Sequence, residues 1–319
     1  MAETTVGTAT IGRRPTVPLL SIGAGPAATS SATAIPTRVL VFGMAHEDGL
    51  IVTGEVLPVA EACGQSADQI RSCLRRMVSE GLLVRSGRGR SARYEATETG
   101  LAQAGALLER TRLAYAQDAA GRGWDRQWRL VGFAVPEGRR SARDALRERL
   151  RVLGGAALQG GLYVSPHPWL KDVRAEADRL GLADQISTAT TDELEIGGER
   201  DPRELARRLW RVDELAARYD DFVTRFSEVP ERLREMRQRR ERLPDEAFLP
   251  GALAMAVAFG ACFEDDPLLP PELLPRPWPG RAARELLVTS RRLALAIRAA
   301  HGRPALFRSF DEVIESLPF

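Results

Sequence analysis

Apolar positions first fall into register at Pro36. The run Arg38-Val39-Leu40-Val41-Phe42-Gly43-Met44 carries them at helical spacing, with Pro36 placed for the first turn. A shorter helix is predicted from Thr53 to Ala62, with Thr53 as its N-cap and Pro58 inside, and Gly64 permits a sharp exit. Ser66 opens the next helix. Its apolar positions Ile70, Cys73, Leu74 and Met77 share one face, while Asp68, Ser72, Arg75 and Ser79 take the opposite one, flanked by Gln69, Arg71 and Arg76. Gly81 ends that helix. Leu82-Leu83-Val84-Arg85 and Ala92-Arg93-Tyr94-Glu95-Ala96-Thr97 then read as two strands around the basic, glycine-rich tip Ser86-Gly87-Arg88-Gly89-Arg90-Ser91. Helical spacing resumes from Thr97 to Gln117 and breaks at Gly121 and Gly123.

A second pattern begins with a strand from Trp128 to Val135 and an amphipathic helix from Ser141 to Leu153, whose Ala145, Leu146, Leu150 and Leu153 point inward. Strands Ala157 to Gln159 and Leu162 to Ser165 flank Gly160-Gly161, followed by a helix from Pro168 to Leu180 and an edge strand from Gln185 to Thr191. The order β-α-β-β-α-β predicts a ferredoxin-like sandwich. Beyond Gly197-Gly198 the pattern is wholly helical. Asp201-Pro202 supplies an N-cap and first turn, and one long segment striped by Leu205, Leu209, Val212, Tyr219, Phe222 and Phe226 runs to about Arg242. Helices from Asp245 to Cys262 and from Ala282 to Ala300 follow, separated by the proline-rich turn Asp266 to Gly280.

The fold class is therefore α+β and multidomain: a winged helix-turn-helix over 35–120 with its connecting helix, a ferredoxin-like domain over 121–200 and an all-helical domain over 201–319. Residues 1–34, rich in Thr, Ala, Gly, Ser and Pro without periodicity, are expected to form a disordered tail or to mark an over-long translation start. Arg13-Arg14 ahead of small apolar residues has the outline of a twin-arginine signal, but Pro15, Pro18, Gly23, Gly25 and Pro26 break the apolar helix that signal needs. No run approaches the roughly 18 apolar residues of a membrane span.

Composition changes this picture little. A length of 319 residues agrees with two or three domains, and 45 basic residues nearly cancel 43 acidic ones, so a nucleic-acid footprint must be regional. Lys171 is the one lysine, an imbalance that GC-rich coding explains without invoking guanidinium chemistry. Cys63, Cys73 and Cys262 form no CxxC pair and have no histidine at ligand spacing, which argues against a zinc site or disulfide framework and suits a reducing cytoplasm.

The cationic helix and basic hairpin carry the candidate chemistry. Arginine grips guanine edges in the major groove, and a hairpin wing reaches adjacent phosphates or the minor groove. Gln69, Arg71, Ser72, Arg75 and Arg76 suit the first task, and Arg85, Arg88, Arg90 and Arg93 the second. The partner is then double-stranded operator DNA. No GxSxG, P-loop or strand-following GxGxxG occurs, and His46, His167 and His301 stand far apart in sequence, so no catalytic residue, metal or cofactor is assigned. His167, between two prolines, reads as a loop residue, and Asp265-Asp266 as a helix exit. Trp210, Tyr219, Phe222 and Phe226 fit either core packing or the lining of an apolar effector pocket.

Several separate stretches resemble the PaaX family of regulators from Pro36 onward. They are the tryptophan-bounded Trp124-Asp125-Arg126-Gln127-Trp128-Arg129-Leu130-Val131; the helix bearing Arg143, Leu146, Arg147, Leu150, Leu153 and Gly154; Gly161-Leu162-Tyr163-Val164-Ser165-Pro166, where tryptophan is commoner than this tyrosine; and Asp266-Pro267-Leu268-Leu269-Pro270-Pro271-Glu272-Leu273-Leu274-Pro275 followed by Trp278-Pro279-Gly280. The resemblance implies a homodimeric GntR-like winged-helix DNA binder with a central domain related to Cas2 folds. It further implies a helical effector domain that releases DNA on binding an aryl-CoA or other acyl-CoA, which predicts a cytoplasmic repressor of a catabolic operon. Trp210, Tyr219, Trp278, Arg281 and Arg284 are the candidate effector-binding set. Ala258-Phe259-Gly260-Ala261-Cys262-Phe263 departs from the family, whose members often carry basic residues there. Two other classes remain open at this stage: a Cas2-like metal nuclease, although Val131 to Pro136 offers no carboxylate before Glu137, and a regulator acting through protein partners without a small effector.

Overall fold

The computed structural model describes residues 35–121, 123–241, 245–299 and 306–315; the expected tail over 1–34 lies outside them. Helix α1 (Thr37–Gly43) starts just after Pro36, which holds the extended N-cap conformation rather than a place in the first turn. A two-residue strand β1 (Ile51–Val52) leads into α2 (Thr53–Ala62), capped by Val52. Thr53 is thus the first helical residue and not the expected N-cap: its hydroxyl is turned away toward the hairpin and makes no cap bond. Gly64, at φ +71°, reverses the chain into α3 (Ala67–Ser79). There Ser66 and Gln69 form a reciprocal capping box, the Ser66 side chain accepting from Gln69 N–H and the Gln69 side chain accepting from Ser66 N–H. Strands β2 (Leu83–Ser86) and β3 (Arg93–Ala96) pair antiparallel with Arg85 opposite Tyr94, and β1 joins the far edge of β3. Helix α4 (Glu98–Ala120), capped by Thr97, leaves this module and ends at Gly121 in the left-handed region.

The central region carries β4 (Trp128–Phe133), α5 (Arg140–Val152), β5 (Ala156–Gln159), β6 (Leu162–Ser165), α6 (Leu170–Leu180) and β7 (Ile186–Thr191), in the order read from the sequence. Its strands align as β5-β6-β4-β7, every neighbouring pair antiparallel, with β7 at an edge. One face buries Val131 against Leu146 and Leu150 of α5 and Val173 and Ala177 of α6. The other face buries Trp128, Ala156 and Val164 against Val212, Leu269, Leu273 and Leu274 from the chain's C-terminal third.

That third is built from α7 (Pro202–Trp210), α8 (Val212–Phe226), α9 (Val229–Gln238), α10 (Asp245–Glu264), α11 (Pro279–Ala299) and α12 (Asp311–Glu315). The single long helix expected from Asp201 is three helices. Arg211, at φ +50°, takes the left-handed conformation between α7 and α8. Pro230 lacks the N–H that a continuing helix needs and instead stands in the first turn of α9. The core around α1, α2 and α3 is completed from this distant part of the chain. Leu249 and Leu253 of α10, together with Leu306, are buried within it beside Leu40, Val56, Ile70 and Leu74.

Candidate nucleic-acid interface

Helix α3 forms because Ser66 closes its N-terminus and Ile70, Leu74 and Met77, spaced at four and three, are buried against α1 and α2. That burial turns the remaining face outward: Gln69, Arg71, Ser72, Arg75 and Arg76 are all exposed. Arg71 reaches Asp68 at 2.8 Å and Arg75 donates to Ser72 Oγ at 3.0 Å, both on the helix's own surface. Such exposed pairs contribute about 0–1 kcal/mol, so a phosphate or base edge can displace them at small cost. The Gln69 amide oxygen is committed to the cap, which leaves its NH2 group for an outside acceptor.

In the hairpin, Arg85, Arg88, Arg90 and Arg93 are likewise exposed. Arg85 lies over the Tyr94 ring, 6.0 Å from its centroid. Gly87 and Gly89, at φ +72° and +63°, let the tip fold back, and Ser91 Oγ donates to the Arg88 carbonyl at 2.8 Å. Two cationic groups, one on a helix face and one on a glycine-turned hairpin, therefore belong to one packed unit. Sequence spacing located them all but missed β1, whose two residues show no period, and the use of Thr53.

The candidate effector residues divide. Tyr219 and Trp278 meet edge-on with ring centroids 5.8 Å apart, and Tyr219 Oη donates to Asp266 Oδ2 at 2.8 Å. Beneath them Arg284, also buried, donates through Nε and Nη2 to both Asp118 oxygens, at 2.6 and 2.8 Å, and stands 3.7 Å from Asp266. Burial alone would lower the Arg284 pKa; the hydrogen bond and charge of Asp118 outweigh it and raise the pKa above the usual value. Burial, then the Asp266 charge, pushes the Tyr219 phenol well up. Trp210 lies in the adjoining cluster, stacked on Trp128 at 6.3 Å with Nε1 donating to the Gly154 carbonyl at 3.1 Å. Arg281 is on the surface, paired with Glu285 at 2.9 Å.

Of the remaining candidates, His167 is held by a 2.9 Å contact from Nε2 to the Pro267 carbonyl, and burial lowers its pKa. Its role is to fasten the loop after β6 to the proline-rich segment. Asp266 is an interior acceptor for Tyr219 and for the Leu268 N–H. Glu137, the first acid after β4, is exposed and bonded to Arg143 at 2.8 Å. Among the described residues no group of three or more His, Cys, Asp or Glu side chains could hold a metal, and no helix is long and apolar enough to cross a membrane.

Comparison with known proteins gives three consecutive family matches: a PaaX-like protein family over residues 36–100, the PaaX protein central Cas2-like domain over 121–206, and the PaaX-like protein C-terminal domain over 210–301. The transcriptional repressor PaaX of Escherichia coli K12 is 27% identical over 259 residues, covering 81% of this chain and 78% of the relative. Among solved structures, an uncharacterized protein of Mycobacterium tuberculosis aligns with a TM-score of 0.47 at 22% identity, over 78% of this chain and 90% of that one.

Proposed function

Because the chain belongs to the PaaX family, we propose that it is a DNA-binding transcriptional repressor whose winged helix-turn-helix is formed by α1–α3 and the β2–β3 hairpin. The observation that carries the reading is the single exposed cationic face of α3 beside the arginine-bearing hairpin. In this reading α3 lies in the major groove, Arg71, Arg75 and Arg76 read base edges or nearby phosphates, and the hairpin arginines hold the backbone. The protein works in the cytoplasm as a homodimer on two half-sites about 34–36 Å apart, one turn of the duplex. The units are a DNA-binding module over 35–120, a central ferredoxin-like domain over 121–200 and an effector domain over 201–319. An aryl-CoA or other acyl-CoA releases the DNA and so induces a catabolic operon.

The test is a fluorescence titration on the DNA upstream of the protein's own gene. Arg75→Ala is expected to weaken specific binding by about 1–3 kcal/mol and to relax preference at one base position. Arg88→Ala is expected to weaken specific and mixed-sequence DNA alike and to lower the salt slope by about one. Negligible losses in both variants would remove the assignment.

The effector arm follows from linkage. A ligand that releases DNA binds the free dimer more tightly than the bound one, with a reciprocal coupling of about 1–3 kcal/mol. An acyl-CoA is expected to lower operator affinity where the corresponding free acid does not, because only the thioester brings phosphates and an adenine for cationic and aromatic side chains to grip. Calorimetry showing no heat with any thioester, using a preparation that binds its operator, would end the acyl-CoA reading and leave the DNA-binding one intact.

A further inference from the structure

Beside the apolar packing of Leu83, Ala92 and Tyr94 in the shared core, the hairpin meets α2 through three consecutive residues, Val52 at its N-cap and Thr53 and Gly54 in its first turn. Val52 pairs with Arg93 across β1 and β3. Thr53, only 4% exposed, directs both its N–H and its Oγ1–H at the carbonyl oxygen of Ala92, at 3.1 and 3.0 Å. Gly54 passes so close that a Cβ there would meet the Arg90 carbonyl oxygen at 3.2 Å. On the hairpin side, Ala92 is buried and its N–H donates to the Gly89 carbonyl at 3.2 Å, which links the joint to the tip. Helix α2 in turn packs Val56 and Val59 into the core that holds Ile70 and Leu74 of α3. A short mechanical path thus runs from the cationic face of α3 through α2 and Thr53 to the residues that bear Arg88, Arg90 and Arg93.

We infer that Thr53 is a positioning residue for nucleic-acid binding, fixing where the hairpin arginines stand relative to the cationic face of α3. The inference rests on the DNA-binding reading above. Arg88, Arg90 and Arg93 are exposed, and Arg88 and Arg90 adjoin glycines, so these side chains gain little order from neighbours. Simultaneous contact by α3 and the hairpin requires a fixed separation between the two, because a hairpin free to swing spends binding energy on its own ordering. The Thr53 hydroxyl supplies that restraint at a cost the fold does not need: without it, Ala92 O still accepts from the Thr53 N–H, and no buried carbonyl is orphaned. Thr53→Val, which keeps the β-branched shape, therefore removes one of the two Thr53 hydrogen bonds at the joint and loosens it while sparing the fold.

The experiment uses the full chain and a short mixed-sequence duplex, so it needs no knowledge of the operator. Affinity is followed by fluorescence anisotropy as salt is varied, with circular dichroism to confirm folding. Thr53→Val is expected to bind about tenfold more weakly at low salt, with a slope shallower by about one to two, the signature of lost phosphate contacts. Thr53→Ser should restore wild-type behaviour. In a double-mutant cycle, Arg88→Ala should cost little more once Thr53 is valine, because its contact is already lost. Gly54→Ala perturbs the same joint by crowding the Arg90 carbonyl without deleting a hydrogen bond, and is expected to give the same shallower slope; it decides the matter if Thr53→Val does not fold. A folded Thr53→Val protein with the wild-type slope and the full further loss from Arg88→Ala would overturn the inference. A wild-type protein with no salt-dependent DNA binding would instead overturn the DNA-binding reading beneath it.

Discussion

Replacing Asp118 with alanine is expected to destabilise the protein by about 3–5 kcal/mol, because it leaves the Arg284 guanidinium charged in the interior without its hydrogen-bonded partner. Both side chains are about 5% exposed, and their two hydrogen bonds, at 2.6 and 2.8 Å, tie α4 to α11. Asp266 remains 3.7 Å from Arg284, but it already accepts from Tyr219 and from the Leu268 N–H, so it replaces only part of the lost partner. Arg284 Nη1 is itself buried without a hydrogen bond, so the guanidinium already has an unmet donor and the loss of Asp118 would remove two hydrogen bonds more. Replacing both partners together, as Asp118→Leu with Arg284→Met, should cost far less than the single change, since no charge is then stranded. Urea unfolding followed by circular dichroism measures both. A single Asp118→Ala variant within about 1 kcal/mol of wild type would show that the pair contributes no more than a surface bridge.

The second large effect is expected at Leu253. This residue of α10 is 0% exposed and belongs to the core of the DNA-binding module, although more than two hundred residues separate it from α1 in sequence. Leu253→Ala should cost about 2–5 kcal/mol, the sum of lost burial and the cavity left behind. The loss falls at the seam between α10 and the helices α1, α2 and α3, so it should also uncouple them. Thermal unfolding is expected to split, with the DNA-binding module melting first. The Phe42, Phe307 and Phe310 rings at the same seam, with centroids 6.5 Å apart pairwise, hold the two sides together further. One cooperative transition at an unchanged midpoint would show that the seam does not bear on stability.

What the amino-acid sequence determined by itself was the set of local elements and the faces they present. Ile70, Leu74 and Met77 recur at helical spacing, so the arginines between them must face outward whatever α3 packs against. Gly81, Gly87 and Gly89 allow the backbone reversals that make a hairpin of the next segment, and alternating strand and helix periods through residues 128–191 already spell the order of the central sheet. Breaks carried by backbone conformation were harder to see. Arg211 interrupts a continuous apolar stripe because it adopts a left-handed conformation that its residue type does not announce.

Only the tertiary structure decided which distant groups meet. The sequence marks a helix from Asp245 to Cys262 but cannot say that its Leu249 and Leu253 are buried against α1 and α2. Arg284 stands in sequence beside Arg281 as a candidate for binding an effector; Asp118, brought to it by the packing of α4 on α11, makes it a paired interior ion. Thr53 has the composition of an N-cap, yet the arrival of Ala92 from the hairpin gives its hydroxyl a different acceptor. In each case the side chain's role is set by a partner remote along the chain. Hydrogen bonds and charge pairs act over a few ångströms of space, whatever the number of residues between them.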